Sequence, residues 1–155
     1  MANGVDKRSL VRKIDRTAVS VSAGDVKDAW ARSPASALTC ICLDRDFYAY
    51  PPEVWETVLL YSALDSKEYE ESVFDCDDFA FAFKGVMGQK LRIGSSIGVV
   101  IDYSGGHAYN AVLACPSDTE VKILFLEPQT DRYVLRGMSK SDDESYAMRN
   151  GYVLF

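Results

Sequence analysis

One stretch decides the fold, the segment from Asp75 to Gly88 with the sequence DCDDFAFAFKGVMG. Asp75 is a good helix N-cap, a second acid stands three residues later, and Gly88 is a plausible stop, so the stretch predicts one helix. The cysteine and the apolar residues inside it recur at spacings of three and four and share one face: Cys76, Phe79, Ala80, Phe83 and Met87. Cys76 is therefore expected in the first turn, pointing inward.

The residues before this segment favour further helices. An apolar stripe predicts a helix over about residues 7–18, and a start resembling a capping box at Ser22 predicts a second one. Pro51 and Pro52 open a third, which should end near Leu64. A short apolar run at residues 37–43 favours a strand.

After the central helix the apolar pattern changes to strands. Runs at residues 97–102, 108–115 and 121–126 predict three strands at hairpin distances, and residues 152–155 predict another. We therefore expect an α+β domain in which N-terminal helices pack on an antiparallel sheet. A chain of 155 residues is one domain by length, with a helical N-terminal part at 1–45 and a core at 46–155.

Composition narrows the classes of partner. The chain is 48% hydrophobic and carries a formal net charge of −6, which argues against nucleic acid and anionic membranes as partners. It has no apolar leader at its start and no apolar run long enough to span a membrane, so a cytoplasmic or host-cytoplasmic location is expected. The four cysteines are expected to be free thiols.

Three residue types at three element ends suggest a reactive site. Cys76 opens the central helix, His107 opens a strand after two glycines, and Glu127 ends the next strand. A thiol, an imidazole and a carboxylate together can form a cysteine nucleophile with its base and its orienting group. His107 is the only histidine, so no other imidazole competes; Asp102, Asn110 and Asp131 compete with Glu127 for the orienting role.

The acids around Cys76 conflict with a thiolate there. One carboxylate about 6 Å away costs on the order of 3 kcal/mol at an effective dielectric constant of 20. A divalent cation bound by these acids would remove the conflict, and Gln129 could supply an amide to the metal or to the imidazole. Asp carboxylates with no spare histidine suit calcium, magnesium or manganese better than zinc. The alternative is that the acids only complement the helix dipole.

Three runs carry a resemblance to a known family. DCDDFA at 75–80, GHAYN at 106–110 and EPQ at 127–129 resemble the papain-like cysteine peptidase domain at the C-terminus of a fungal lectin. The chain is more distantly similar to bacterial transglutaminase-like cysteine peptidases. The sugar-binding β-trefoil that accompanies the lectin domain is not visible in this sequence, which lacks its repeats.

The resemblance implies a papain/transglutaminase-like fold and a cysteine peptidase, a hydrolase activated by Ca²⁺ or Mn²⁺ and acting on a protein or peptide. It implies Cys76 as nucleophile, His107 as base, Glu127 as orienting group and residues 46–155 as the catalytic core. It also implies Asp77 and Asp78 as the ligands of the metal ion, with Gln129 as a further ligand. It favours a microbial or phage source. Two alternatives remain open: a transglutaminase-like acyl transferase, and an inactive domain that binds a metal or a partner. The oligomeric state is left open.

Overall fold

The computed structural model describes residues 4–117, 120–134 and 144–155, which form helices on both faces of one large sheet. Short 3-10 turns at Leu64–Ser66 and Gly94–Ser96 connect some of the elements. The helices are α1 (Lys7–Thr17), α2 (Ala23–Ala31), α3 (Pro52–Ser62) and α4 (Cys76–Leu91). The strands are β1 (Val19–Ser22), β2 (Thr39–Ile41), β3 (Asp46–Ala49), β4 (Ile97–Asp102), β5 (His107–Ser117), β6 (Glu120–Glu127), β7 (Arg132–Tyr133) and β8 (Gly151–Leu154).

The large sheet has six strands in the order β2-β8-β4-β5-β6-β7. Its neighbours are antiparallel except β2 and β8, which run parallel, so the prediction of an antiparallel sheet is wrong at this edge. The C-terminal strand β8 fills the place between β2 and β4, and a parallel neighbour can be brought in only by a long connection. A second sheet, β1 paired with β3, was not predicted from the sequence.

Alternate residues of β5 enter two separate apolar clusters. Tyr109, Ala111 and Leu113 pack with α2, where Trp30 makes edge contacts to Phe125 and Phe155. Successive strand residues point to opposite faces, so Val112 and Ala114 pack with α3 and α4 instead. Burial on both faces explains why β4 and β5 are continuous apolar runs rather than alternating ones.

Helix α4 begins where the sequence predicts but continues past Gly88 to Leu91. Arg92 adopts a left-handed conformation, φ 63°, and its N–H donates to the Gly88 carbonyl at 3.0 Å. A Cβ on Gly88 would lie 3.3 Å from the Cα of Gly94. The glycine therefore permits a close approach of two backbone segments, and its prediction as a helix stop is wrong.

Two polar side chains, one buried and one partly buried, join α4 to the sheet. The Asn110 amide on β5 donates to the carbonyls of Ala80 at 3.0 Å and Gly98 at 3.1 Å. The Lys84 ammonium donates to the carbonyls of Gly94 at 2.7 Å and Ile97 at 2.6 Å, and burial lowers the pKa of Lys84. These bonds fix the helix along its length, and with it the position of Cys76.

We predict that Asp131→Asn stabilises the protein at neutral pH. Burial, with a smaller effect of Asp65, raises the pKa of Asp131 to about 6, and neither carboxylate oxygen has a hydrogen-bond partner among the described residues. A raised carboxyl pKa means that stability falls as pH rises from about 4 through 6. Allowing for solvent screening, the substitution should add about 1–2 kcal/mol to the free energy of unfolding at pH 7.

Urea unfolding at pH 3 and pH 7 measures this effect. Asn also tolerates the left-handed backbone of this residue, φ 51°. Asp65→Asn is the matched control and should give a smaller gain at pH 7. Equal effects of Asp131→Asn at both pH values would contradict the electrostatic explanation.

Candidate functional site

The three predicted site residues lie at the ends of neighbouring elements. Cys76 is the first residue of α4, His107 the first of β5 and Glu127 the last of β6. Because β5 and β6 are antiparallel neighbours, the start of one meets the end of the other. The His107 Nε2 lies 2.7 Å from the Glu127 Oε2. A carboxylate oxygen accepts, so Nε2 carries the hydrogen and Nδ1 is the acceptor of the neutral ring.

Cys76 and His107 share an open cleft of about 280 Å³. Tyr103, which is 63% exposed, forms part of its rim and lies edge-on to Tyr152 at 6.1 Å between ring centroids. The complete lining is Cys76, Asp77, Ile101, Asp102, Tyr103, Gly106, His107 and Ala108. The cleft can therefore hold a small ligand or one group of a larger ligand against the thiol and the imidazole.

Glu127 is nearly inaccessible to solvent and has three donors. Its side chain is only 4% exposed, and Oε2 accepts the Tyr146 hydroxyl at 2.8 Å as well as the imidazole. Oε1 accepts the backbone N–H of Gln129 at 3.3 Å. A buried carboxylate with several donors is held in one orientation, which suits a group that orients an imidazole.

Two of the three competitors for that role bind other partners. Asp102 accepts the Ser104 hydroxyl at 2.5 Å and the Met148 N–H at 2.7 Å, Asn110 binds α4, and the oxygens of Asp131 have no hydrogen-bond partner among the described residues. Tyr146 was not identified from the sequence. In the sequence Tyr146 is one aromatic residue far from every motif, so nothing in its neighbourhood indicates a contact with Glu127.

The glycines before His107 allow a close contact with the segment that carries Tyr146. A Cβ on Gly105 would overlap the Ser145 carbonyl, and Gly106 has φ 61°. Ser104 accepts the N–H groups of Arg149 at 2.9 Å and Asn150 at 3.1 Å. The sequence expectation that backbone passes close to these glycines is confirmed.

The surroundings of the Cys76 thiol oppose its ionisation. Burial, followed by the charges of Asp75 and Asp77, raises its pKa, while a hydrogen bond from the Ala108 backbone acts in the opposite direction. The conflict between thiolate and acids that the sequence suggests is therefore present in the structure. Burial also raises the pKa of Cys40 to about 12, and the Cys115 thiol donates to the Ser117 carbonyl at 2.6 Å.

The acids of the helix start divide into two groups. Ligand atoms of Asp75, Cys76 and Asp77 lie within 4.8 Å of one another. Asp78 instead accepts the Asp75 backbone N–H at 3.3 Å, as a capping residue. The predicted ligand Asp77 is thus grouped with Asp75 rather than with Asp78, and Gln129 contacts Glu127 through its backbone.

Asp75 and Asp77 interact as a pair of carboxyls. A hydrogen bond between them, with burial second, raises the pKa of Asp77, and the same hydrogen bond is the main cause that lowers the pKa of Asp75. One proton shared between two carboxyls is the usual response to close like charges. A dication could replace that proton.

Comparison with known proteins gives one family and a set of similar structures. The family model described as the ricin-type β-trefoil lectin C-terminal domain matches residues 12–142. No curated protein matches the chain.

The similar structures include two lectin structures of the same fold. One is a Polyporus squamosus lectin bound to Neu5Acα2-6Galβ1-4GlcNAc, described as a human-type influenza-binding epitope, with TM-score 0.64 and 22% identity over 88% of this chain and 50% of that one. The other is a complex named PSL1a-E64, with TM-score 0.63 and 23% identity over 88% of this chain and 51% of that one. The chain thus spans about half the length of the structures it matches.

These findings correct the function expected from the sequence. The prediction of a papain- or transglutaminase-like fold and of a cysteine peptidase, and hence of a hydrolase acting on a protein or peptide, is wrong, because the matching family and structures are lectins. Only the relation to lectins remains. The physical reason is that three residues at the ends of elements indicate which chemistry a site could perform, but the same three residues can occur in proteins of unrelated fold and function. In the described residues, no helix is long and apolar enough to cross a membrane.

We predict different effects of two neighbouring substitutions on stability in metal-free buffer. Asp78→Asn should lower the free energy of unfolding by about 1 kcal/mol, because it weakens a helix cap. Asp77→Asn should leave stability unchanged or raise it at pH 7, because it removes one of two close carboxylates. Chemical denaturation measures both, and each variant is the control for the other. A loss for Asp77→Asn equal to that for Asp78→Asn would contradict the division of roles.

Proposed function

The chain belongs to the ricin-type β-trefoil lectin C-terminal domain family, and from that membership we propose that it is a domain of a carbohydrate-binding protein. The match over residues 12–142 is the observation that carries the proposal. The Polyporus squamosus lectin binds a sialylated trisaccharide, so a glycan of that class is the ligand to test first.

A groove between α1, β3 and the end of α4 is the best place for such a ligand. Its volume is about 400 Å³. Tyr48 is 48% exposed there and offers an aromatic face with a polar end. Lys90 and Arg92 supply two cations that can pair with the carboxylate of a sialic acid, and Asp15 can accept from sugar hydroxyls.

We predict that Lys90→Gln and Arg92→Gln each weaken binding of Neu5Acα2-6Galβ1-4GlcNAc about tenfold, because each removes one charge-assisted hydrogen bond. Affinity for Galβ1-4GlcNAc should not change, since it lacks the carboxylate. Titration followed by NMR measures affinity and location together. Lys27→Gln, on α2, is the matched control.

Two results would contradict this proposal. If no glycan shifts the resonances of the chain, carbohydrate recognition belongs to the part of the lectins that the chain does not cover. If binding occurs but the groove resonances do not move, the ligand site lies elsewhere on the domain.

A second proposal concerns the cleft at Cys76, favoured by the geometry of His107 and Glu127. We propose that the cleft binds a small ligand and that its thiol reacts with electrophiles when His107 takes the thiol proton. The support is that the imidazole is oriented by a buried carboxylate and opens into the same cleft as the thiol. E64, which names the second similar complex, is the small molecule to test here.

Calcium or manganese is the proposed switch of this thiol. Asp75 and Asp77 offer carboxylate oxygens beside the sulfur. Calcium and manganese bind carboxylate oxygens more readily than imidazole nitrogens, so this set of donors suits either ion. A dication would cancel the negative charges of the two carboxylates next to Cys76. The thiolate would then form more easily.

We predict that Cys76 is the fastest-alkylating thiol of the four at pH 7 with calcium present, and that calcium removal slows it. Peptide mapping after brief iodoacetamide treatment measures the four rates. Prior incubation with E64 should protect Cys76 alone, because the other thiols lie outside the cleft lining. Asp77→Asn should abolish the calcium effect, while Asp78→Asn should largely retain it.

The outcome that excludes this proposal is earlier labelling of Cys40, Cys42 or Cys115. Faster alkylation in Asp77→Asn, together with no calorimetric sign of metal binding in the wild type, would exclude the metal switch alone.

A further inference from the structure

The His107 ring has two tyrosine neighbours, and one of them, Tyr146, donates a hydrogen bond to the carboxylate that holds the ring. Tyr146 lies 5.2 Å from the imidazole between ring centroids, and Tyr109 lies 5.9 Å from it. Tyr146 donates to Glu127, whereas the Tyr109 hydroxyl donates to Asp102 at 3.3 Å. We infer that Tyr146 is a positioning residue, which fixes His107 as the Nε2–H tautomer and keeps Nδ1 as the acceptor of the ring.

The argument begins with one oxygen atom. Glu127 Oε2 accepts the His107 Nε2–H at 2.7 Å and the Tyr146 hydroxyl at 2.8 Å. With both donors in place, the carboxylate cannot rotate without breaking two bonds. Without the hydroxyl, a lone pair of a buried carboxylate loses its donor, which is costly in an environment of low dielectric. The carboxylate would then turn or admit water, and the imidazole would lose its fixed partner.

Tyr146 is itself held by bonds that do not involve His107. Two residues further on, the Met148 N–H donates to Asp102, which is almost completely buried. The next two backbone N–H groups donate to Ser104, in the turn that leads to His107. The segment 146–150 is therefore anchored to the β4–β5 turn by hydrogen bonds that do not depend on His107.

The aromatic contacts restrict the ring further. Tyr146 meets His107 at an interplanar angle of 76°, and it meets Tyr109 at 5.0 Å and 71°. Edge-to-face packing on this scale restricts the plane of the imidazole ring. The hydrogen bond to Glu127 then selects which ring nitrogen faces the carboxylate within that plane.

NMR of the single histidine tests the inference directly. Long-range proton–nitrogen spectra of His107, recorded with calcium, should show the Nε2–H tautomer in the wild type. Tyr146→Phe should give a mixture of tautomers and faster exchange of the ring N–H. Tyr109→Phe is the matched control, because it removes a buried hydroxyl beside the same ring that donates to Asp102 and not to Glu127. The tautomer of His107 should not change in this variant. The same tautomer and exchange rate in Tyr146→Phe as in the wild type would overturn the inference.

A second measurement uses the wild-type protein, so the role of Tyr146 can be tested even if the Tyr146→Phe variant does not fold. The Tyr146 hydroxyl proton should be slow to exchange and shifted downfield by its bond to a buried carboxylate. A hydroxyl proton in rapid exchange with solvent would overturn the inference as firmly as an unchanged tautomer.

The effect on thiol reactivity rests on the proposed reactive cleft. Alkylation of Cys76 in Tyr146→Phe should be about fivefold slower than in the wild type, the factor that corresponds to one hydrogen bond of about 1 kcal/mol. Should Cys76 not be the fastest thiol in the wild type, the reactive cleft fails, and the tautomer alone decides the role of Tyr146. Should Cys76 be fastest and equally fast in Tyr146→Phe with an unchanged tautomer, only the role of Tyr146 fails.

Discussion

The Asn110 side-chain amide is the contact on which the arrangement of the cleft depends. It donates to Ala80 on α4 and to Gly98 on β4 from a strand that starts at His107. One planar group with two hydrogens thus joins the helix that carries the thiol to the strand that carries the imidazole. Losing it would leave two buried carbonyls without that donor, each at a cost of about 1–3 kcal/mol. The fixed relation of Cys76 to His107 follows from this amide and from Lys84 at the middle of the same helix.

The carboxylates show how the protein separates stability from reactivity. Asp102 and Glu127 are buried and each accepts several hydrogen bonds, so their burial is compensated and they fix the surrounding backbone. Asp75 and Asp77 lie at the more open end of α4, where the hydrogen bond between them raises the pKa of Asp77 and lowers the pKa of Asp75. In the first pair, Asp102 lines the cleft and Glu127 orients His107 there, whereas the second pair places beside the thiol a charge that a cation can alter.

Family membership and local chemistry answer different questions here. The lectin family follows from a match along most of the chain, whereas the thiol, imidazole and carboxylate are three residues at the ends of three elements. The same three groups can be assembled on unrelated folds, because two strand ends and a helix start can meet at one edge of many sheets. The correct placement of His107 beside Glu127 therefore did not identify the protein that contains them.

The sequence alone determined the elements whose signals are local. The capping box at Ser22, the start of α4 at Asp75 and the apolar runs of β4, β5 and β6 are each encoded within a few residues, and the structure confirms them. Tertiary structure alone decided the parallel pairing of β2 with β8, the extension of α4 past Gly88, the grouping of Asp77 with Asp75, and the contact of Tyr146 with Glu127. In each of these features, the residues next to a contacting residue in the chain do not indicate which partner it meets. Periodicity and capping report which face of an element is buried, but which distant group meets that face is settled only when the elements pack.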